Sequence, residues 1–210
     1  MIRGGAFLLL LLIQCSAGRV AADVIDRVLA VVDGHLITLS DVRTAVELRL
    51  VTANGAASDP TEAVLSRLID RRLVLEEVDR YAPPEPDAAS VASGVATVER
   101  QAGSPSGIAA HLASLGVDAE WLQQWVREDL RIQAYIQQRF AGSMEATDEE
   151  IENYVREHAS ELTRGGQPLA AAEARQVARE RVMASRRRAL TDEWLNGLRK
   201  RAEITRPAAR

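Results

Sequence analysis

The stretch "VLAVVDGHLITLSDV", residues 28–42, decides how the fold begins. Two apolar runs flank Asp33-Gly34, a dipeptide suited to a two-residue hairpin turn because both turn positions need positive φ. Val28, Ala30 and Val32 fall on one face of the first strand, and Leu29 and Val31 on the other. Both faces are apolar, so the strand needs cover on two sides. Ser40 then reads as the cap of a helix running to about Val51. A lone hairpin is marginal in water, so this one needs partners from elsewhere in the chain.

Upstream, residues 1–22 read as a secretory signal peptide. Arg3 gives a positive start, "AFLLLLLI" (6–13) a short apolar core, and "VAA" (20–22) small residues at a cleavage site after Ala22. The apolar run is short of the roughly 20 residues that span a bilayer, so stable membrane insertion is not expected. An uncleaved anchor is the alternative. Cys15 follows "LIQ", which resembles a lipidation site, but Gln14 stands where such sites carry a small residue. The predicted mature chain, 23–210, has no cysteine, so no disulfide, thiol nucleophile or thiolate zinc site is available to it.

Downstream the chain reads as helical. Asp59, Pro60 and Glu62 give a cap, a first-turn proline and a capping box for a helix with Val64, Leu65, Leu68, Ile69, Leu75 and Val78 on one stripe. "APPEP" (82–86) ends it. A helix from Asp87 to before "AGSPSG" (102–107), a short one ended by Gly116, and a long one opened by Asp118 follow. On the last, Trp121 and Trp125 share a face, and Leu122, Val126, Ile132, Tyr135 and Ile136 widen its apolar surface. Thr147 and Glu150 form a capping box. "LTRGGQPL" (162–169) breaks the pattern, and residues 170–202 read as one long helix with Leu190, Trp194 and Leu198 at four-residue spacing. "AEIT" (202–205) is a candidate terminal strand that would complete the hairpin.

The charge pattern favours the same closure. Of 26 basic and 30 acidic residues, the leader removes Arg3 and Arg19, leaving the mature chain at −6. Residues 164–210 carry 12 basic and 5 acidic groups, and 23–163 therefore carry −13. A basic tail with "RRR" at 186–188 could meet nucleic acid or a membrane. An acidic, exported chain favours instead a basic helix docked on an acidic body, with no nucleic-acid partner.

No chemistry stands out. His35 and His111 have no His, Asp or Glu at helical spacing, His158 near its helix end has only Glu161, and no metal site is expected. There is no nucleophile-elbow pattern and no glycine-rich phosphate loop, so no catalytic residue and no cofactor are assigned. The acidic runs at 76–77 and 148–150 are helix-face and helix-start charges. Trp121, Trp125 and Tyr135 are the candidate binding residues. By spacing alone the two tryptophans read as core residues, and the alternative is that one of them lines an apolar groove.

Several segments together resemble one family. "VIDRVLAVVDGHLITLSDV" (24–42) looks like the opening of the SurA-like periplasmic chaperones, and "LIDRRLVLEEV" (68–78) like their next helix. Residues 107–136 resemble the family's short helix, glycine and long helix. Residues 146–162 resemble the lead into its first parvulin domain, and 181–204 its last helix and strand. The order matches over nearly the whole mature chain. The departure is equally clear: where one or two parvulin domains would stand, only a short linker, 163–169, is present. The resemblance therefore implies a mainly α, single chaperone core module over 23–210. Its N-terminal part is 23–162, its C-terminal helix and strand 170–206, and a small N-terminal β-hairpin is completed by that strand. It also implies an ATP-independent holdase in the periplasm, with unfolded outer-membrane or exported polypeptides as partners and a broad apolar, charge-rimmed groove to hold them. Prolyl isomerase activity should be absent. A dedicated module for one envelope partner is the alternative, and a surviving prolyl isomerase a third. The sequence sets no oligomeric state.

Overall fold

The computed structural model describes residues 26–51, 59–103, 107–143 and 145–207. The expected leader, with Cys15, lies outside them. The hairpin forms as β1 (Val28–Val32) and β2 (His35–Thr38), joined by Asp33 and Gly34 at φ 45° and 86°. Val32 stands opposite His35 and Ala30 opposite Ile37, with a bulge between Val28 and Ala30. One face only is fully covered. Ala30, Val32 and Ile37 are buried, while Leu29 and Val31 are half-buried. The cover on the two sides is unequal: α2 packs on the sheet, and the other face, with Leu29 and Val31, is only partly covered by the described residues.

Helix α1 (Leu39–Glu47) starts two residues earlier than a cap at Ser40 would set and ends short of Val51. Thr38 is the cap. Its Oγ1 accepts from Asp41 N, and Asp41 accepts from Thr38 N at 2.8 Å. Ser40 is freed by this and donates its hydroxyl to Asp26, whose carboxyl is held below the usual range mainly by that bond. Arg49, at φ 52°, turns the chain away.

Helix α2 (Pro60–Tyr81) is the central element, packed against α1, the hairpin, α5 and α7. The predicted stripe is buried, and so are Leu73, Val74 and Asp70 on other sides. Asp59 caps α2 through Thr61 N. Glu62 does not close a capping box as predicted; it pairs with Arg206, near the other end of the chain. Helices α3 (Ala88–Ala102), α4 (Ile108–Ser114) and α5 (Ala119–Phe140) follow. They enclose a second apolar cluster of Val91, Leu112, Leu122 and Val126, with Leu48 from the end of α1. At Gly94 of α3 the two helices come so close that an added Cβ would lie 2.4 Å from Val126 Cγ1.

A 3₁₀ turn (Ala141–Ser143) leads to α6 (Asp148–Glu157), which packs along the first half of α7 (Ala171–Arg201). Residues 163–169, read as a plain linker, contain a tiny hairpin: β3 (Thr163–Arg164) and β4 (Gln167–Pro168) about Gly165-Gly166. Helix α7 has 31 residues, about 46 Å of helix. Its second half reaches α2 and α5. Strand β5 (Ile204–Thr205) then pairs antiparallel with β1, giving the order β2-β1-β5.

The first and last described strands are thus joined, and charge helps. Asp33 N donates to Glu203 O at 3.0 Å, and Glu203 N donates to Asp33 Oδ1 at 2.8 Å. Arg199 grips buried Asp70 with two bonds, Nε to Oδ1 at 2.7 Å and Nη2 to Oδ2 at 2.6 Å. These bonds hold the guanidinium's pKa above its usual value. Arg175 faces Asp148 and Glu152, and Arg186 pairs with Glu150. The basic C-terminal helix is docked on acidic neighbours.

Candidate functional site

Helix α5 carries the two tryptophans four residues apart, so they meet on one face. Their rings stack with centroids 5.5 Å apart and planes 29° from parallel. Neither is fully buried: Trp125 packs partly against the central core and Trp121 against the second cluster. Beneath them lies Arg71 of α2. Its guanidinium sits 3.8 Å from the Trp125 ring centre and donates to Trp125 O, Glu128 and Asp129 at 2.9 to 3.2 Å. Burial lowers its pKa, and Asp129 and Glu128 oppose that shift. Arg71 therefore fixes α5 against α2 and orients the Trp125 ring.

The tryptophans face β2 across a recess of about 300 Å³. Leu36 and Ile37 form one wall, Leu68 and Leu75 the floor, and Trp121 and Trp125 the other wall. Asp41, Arg72 and Glu128 stand among them. Leu36 is 61% exposed. Fully exposed large apolar side chains are few on the described surface. Leu36, Val46 and Tyr81, on β2, α1 and the end of α2, are the large apolar side chains most exposed there. The floor side chains, Leu68 and Leu75, are buried.

Tyr135 is not part of this recess. It is 5% exposed, and its ring packs 5.7 Å from both Tyr81 and Trp194. Burial raises its pKa, and its hydroxyl accepts from Arg139. It borders a separate shallow recess with Tyr81, Pro83, Gln138 and Arg139.

The histidines are not gathered. His35 Nδ1 lies 3.7 Å from Glu76, and His158 stacks on Tyr154 with ring centres 4.0 Å apart. Among the described residues no group of three or more His, Cys, Asp or Glu is placed to hold a metal ion.

The arrangement of strands and helices can now be compared with known proteins. No protein-family model and no curated protein matches the sequence. A solved structure does match, with TM-score 0.51 and 10% identity, over 88% of this chain and 100% of the other. It is a SurA-like chaperone from Campylobacter jejuni, of the structurally related pair formed by the virulence factor PEB4 and the periplasmic protein Cj1289. The chain has a SurA-like fold. At that identity the likeness is one of fold alone. In the SurA-like fold of this chain, the hairpin, α2 and α5 are the elements that build the tryptophan recess.

Sequence reasoning placed Trp121 and Trp125 together but missed Leu36 and Arg71. A signal for Arg71 was available. Positions 64, 68, 71, 75 and 78 form a helical stripe, apolar except for that arginine. A cation on an apolar stripe needs a buried partner. Leu36 carried no signal, because its exposure depends on which hairpin face α2 covers.

Proposed function

We propose that the protein is an ATP-independent chaperone of the periplasm that holds unfolded outer-membrane or other exported polypeptides. The observation that carries this reading is the stacked Trp121–Trp125 pair open to a recess within a SurA-like fold. A recess of about 300 Å³ is at the small end of ligand sites and suits one or two side chains. Each engagement is then weak and brief, which a holdase without an energy source requires: the client leaves when its own folding becomes more favourable. The periplasmic placement rests on the signal-peptide pattern in residues 1–22. In addition, no helix of the described residues is long and apolar enough to cross a membrane. The proposed role needs no catalytic step, and prolyl isomerase turnover is expected to be absent.

The narrow recess favours one other reading, a dedicated module for a single envelope partner. Light scattering separates the two. Residues 23–210 are added to a diluted, urea-unfolded outer-membrane β-barrel protein, without nucleotide. Suppressed aggregation of several unrelated barrels at near-stoichiometric amounts supports the holdase. A folded helical sample that suppresses none of them overturns it in favour of the dedicated module.

A further inference from the structure

Strand β2 is at the edge of its sheet. In a two-residue hairpin the residues flanking the turn, here Val32 and His35, exchange the closing pair of hydrogen bonds. Ile37, two residues on and opposite Ala30, also turns its backbone to β1. Leu36, between them, must therefore aim its N–H and C=O outward. The next outward group, Thr38 N, is taken by Asp41. Leu36 and Ile37 also wall the tryptophan recess. Among the described residues, a backbone edge with no strand partner thus lies beside an apolar pocket, the arrangement that strand addition uses.

The charges around the recess select what can fill it. Glu128 already accepts from Arg71 and Gln124, and Asp41 from the Thr38 backbone and hydroxyl. Arg71 is committed to Trp125 O, Glu128 and Asp129. Arg72 is less well served. Its Nε is buried and makes no hydrogen bond, and its ion pair is to Glu76 at 3.4 Å. Glu76 also faces His35, and burial together with Asp33 favours its neutral form. The recess therefore has its acids engaged, and one arginine is held by an ion pair to Glu76 without a hydrogen bond at its buried Nε.

We propose that the free edge of β2 takes up an extended acidic–apolar polypeptide segment as an added antiparallel strand. The segment's middle residue exchanges both backbone bonds with Leu36. The residues on either side of it point to the α2 face, as residues two apart on a strand do. One of them, aromatic or large aliphatic, packs on Trp121 and Trp125; the other, Asp or Glu, meets Arg72. This inference rests on the polypeptide-binding reading above and narrows it to one segment chemistry and one mode.

The test uses a fluorescein-labelled ten-residue peptide with Phe and Glu two positions apart, and the protein spanning 23–210. Three peptide changes leave the protein untouched: Glu to Gln, the Phe–Glu spacing widened by one residue, and N-methylation of the middle residue. Each should weaken binding about tenfold, the scale of one lost charge-assisted or backbone bond in a partly dry site. In Arg72→Gln, with folding checked by circular dichroism, the Glu and Gln peptides should bind alike. Equal binding of all four peptides, or a Glu preference that survives Arg72→Gln, overturns the proposal. The scattering assay on the same sample keeps the two readings apart. A protein that suppresses aggregation but ignores the peptide changes refutes strand addition alone. One that discriminates the peptides but suppresses no aggregation refutes the holdase alone.

Discussion

Removing Arg199 should damage the protein more than removing its partner, Asp70. The pair is asymmetric: the Asp70 side chain is 8% exposed and that of Arg199 42%. Arg199→Ala leaves a buried carboxylate with neither of its two guanidinium bonds. Breaking a fully buried pair in this way costs about 3–5 kcal/mol. Water can enter where the half-exposed arginine stood, so the expected loss is smaller, about 2 kcal/mol. Asp70→Ala leaves a guanidinium that can swing to water or to Asn196, which it already contacts at 2.8 Å. That loss should be about 1 kcal/mol, close to one ordinary hydrogen bond plus lost packing. The double variant should be no worse than Arg199→Ala alone, because no charge is then stranded. Urea unfolding followed by circular dichroism reads all three, and the larger single loss should lower Tm by roughly 4–8 °C. An Arg199→Ala protein as stable as Asp70→Ala would refute the reasoning, since buried Asp70 would then have found another partner.

Deleting residues 201–210 should destabilise the whole body by about 2–4 kcal/mol. It removes the β5 pairing, both Asp33–Glu203 bonds and the Arg206–Glu62 pair; an unchanged Tm would sink the idea of joined ends. Gly94→Ala should cost about 0–2 kcal/mol, as overpacking on Val126 outweighs the gain in helix propensity. Adding Val126→Ala should recover part of that overpacking cost, which a double-variant cycle would detect. Acid should weaken the fold in a predictable sense. Asp26, Asp87 and Glu150 all have carboxyl pKa values held below the ordinary 3.8 to 4.5, chiefly by bonds from hydroxyl or backbone groups at helix starts. A lowered carboxyl pKa contributes stability that is fully present above the ordinary value and lost as pH falls through the folded one. The urea midpoint should therefore drop below about pH 4.5, and Glu150→Gln should flatten part of that slope. A Glu150→Gln profile that superimposes on the wild type would remove the Thr147–Glu150 box from the account.

Much of the fold was legible because its signals are local. Asp33-Gly34 fixes a turn by its need for positive φ. Asp59, Asp87, Asp118 and Thr147 each cap the helix that follows them. The stripe from Val64 to Val78 is buried as its spacing requires. The misreadings concern residues with two options open to them. Ser40 and Thr38 are both able to cap α1. Thr38 takes that place because Asp41 answers it three residues on, and Ser40 turns to Asp26. Glu62 could have closed a box on Asp59 but meets Arg206, which no local pattern reveals.

The candidate site divides the same way. The spacing of Trp121 and Trp125 puts them on one face of a helix, and the chain alone determines that. Whether that face is core or surface depends on what lies opposite, and burial is a sum over segments far apart in sequence. Leu36 comes from the hairpin, Arg71 from α2 and the tryptophans from α5. Tyr135 shares the helix of the tryptophans, yet Tyr81 and Trp194 close over it. The sequence by itself determined the turns, most of the caps, the helical periods and the opposite charges of residues 23–163 and 164–210, because each depends on neighbours a few residues apart or on composition. Only the tertiary structure decided which apolar faces stay open, which carboxylate is buried and which strand edge is left unpaired, because those depend on contacts between residues 50 to 170 positions apart.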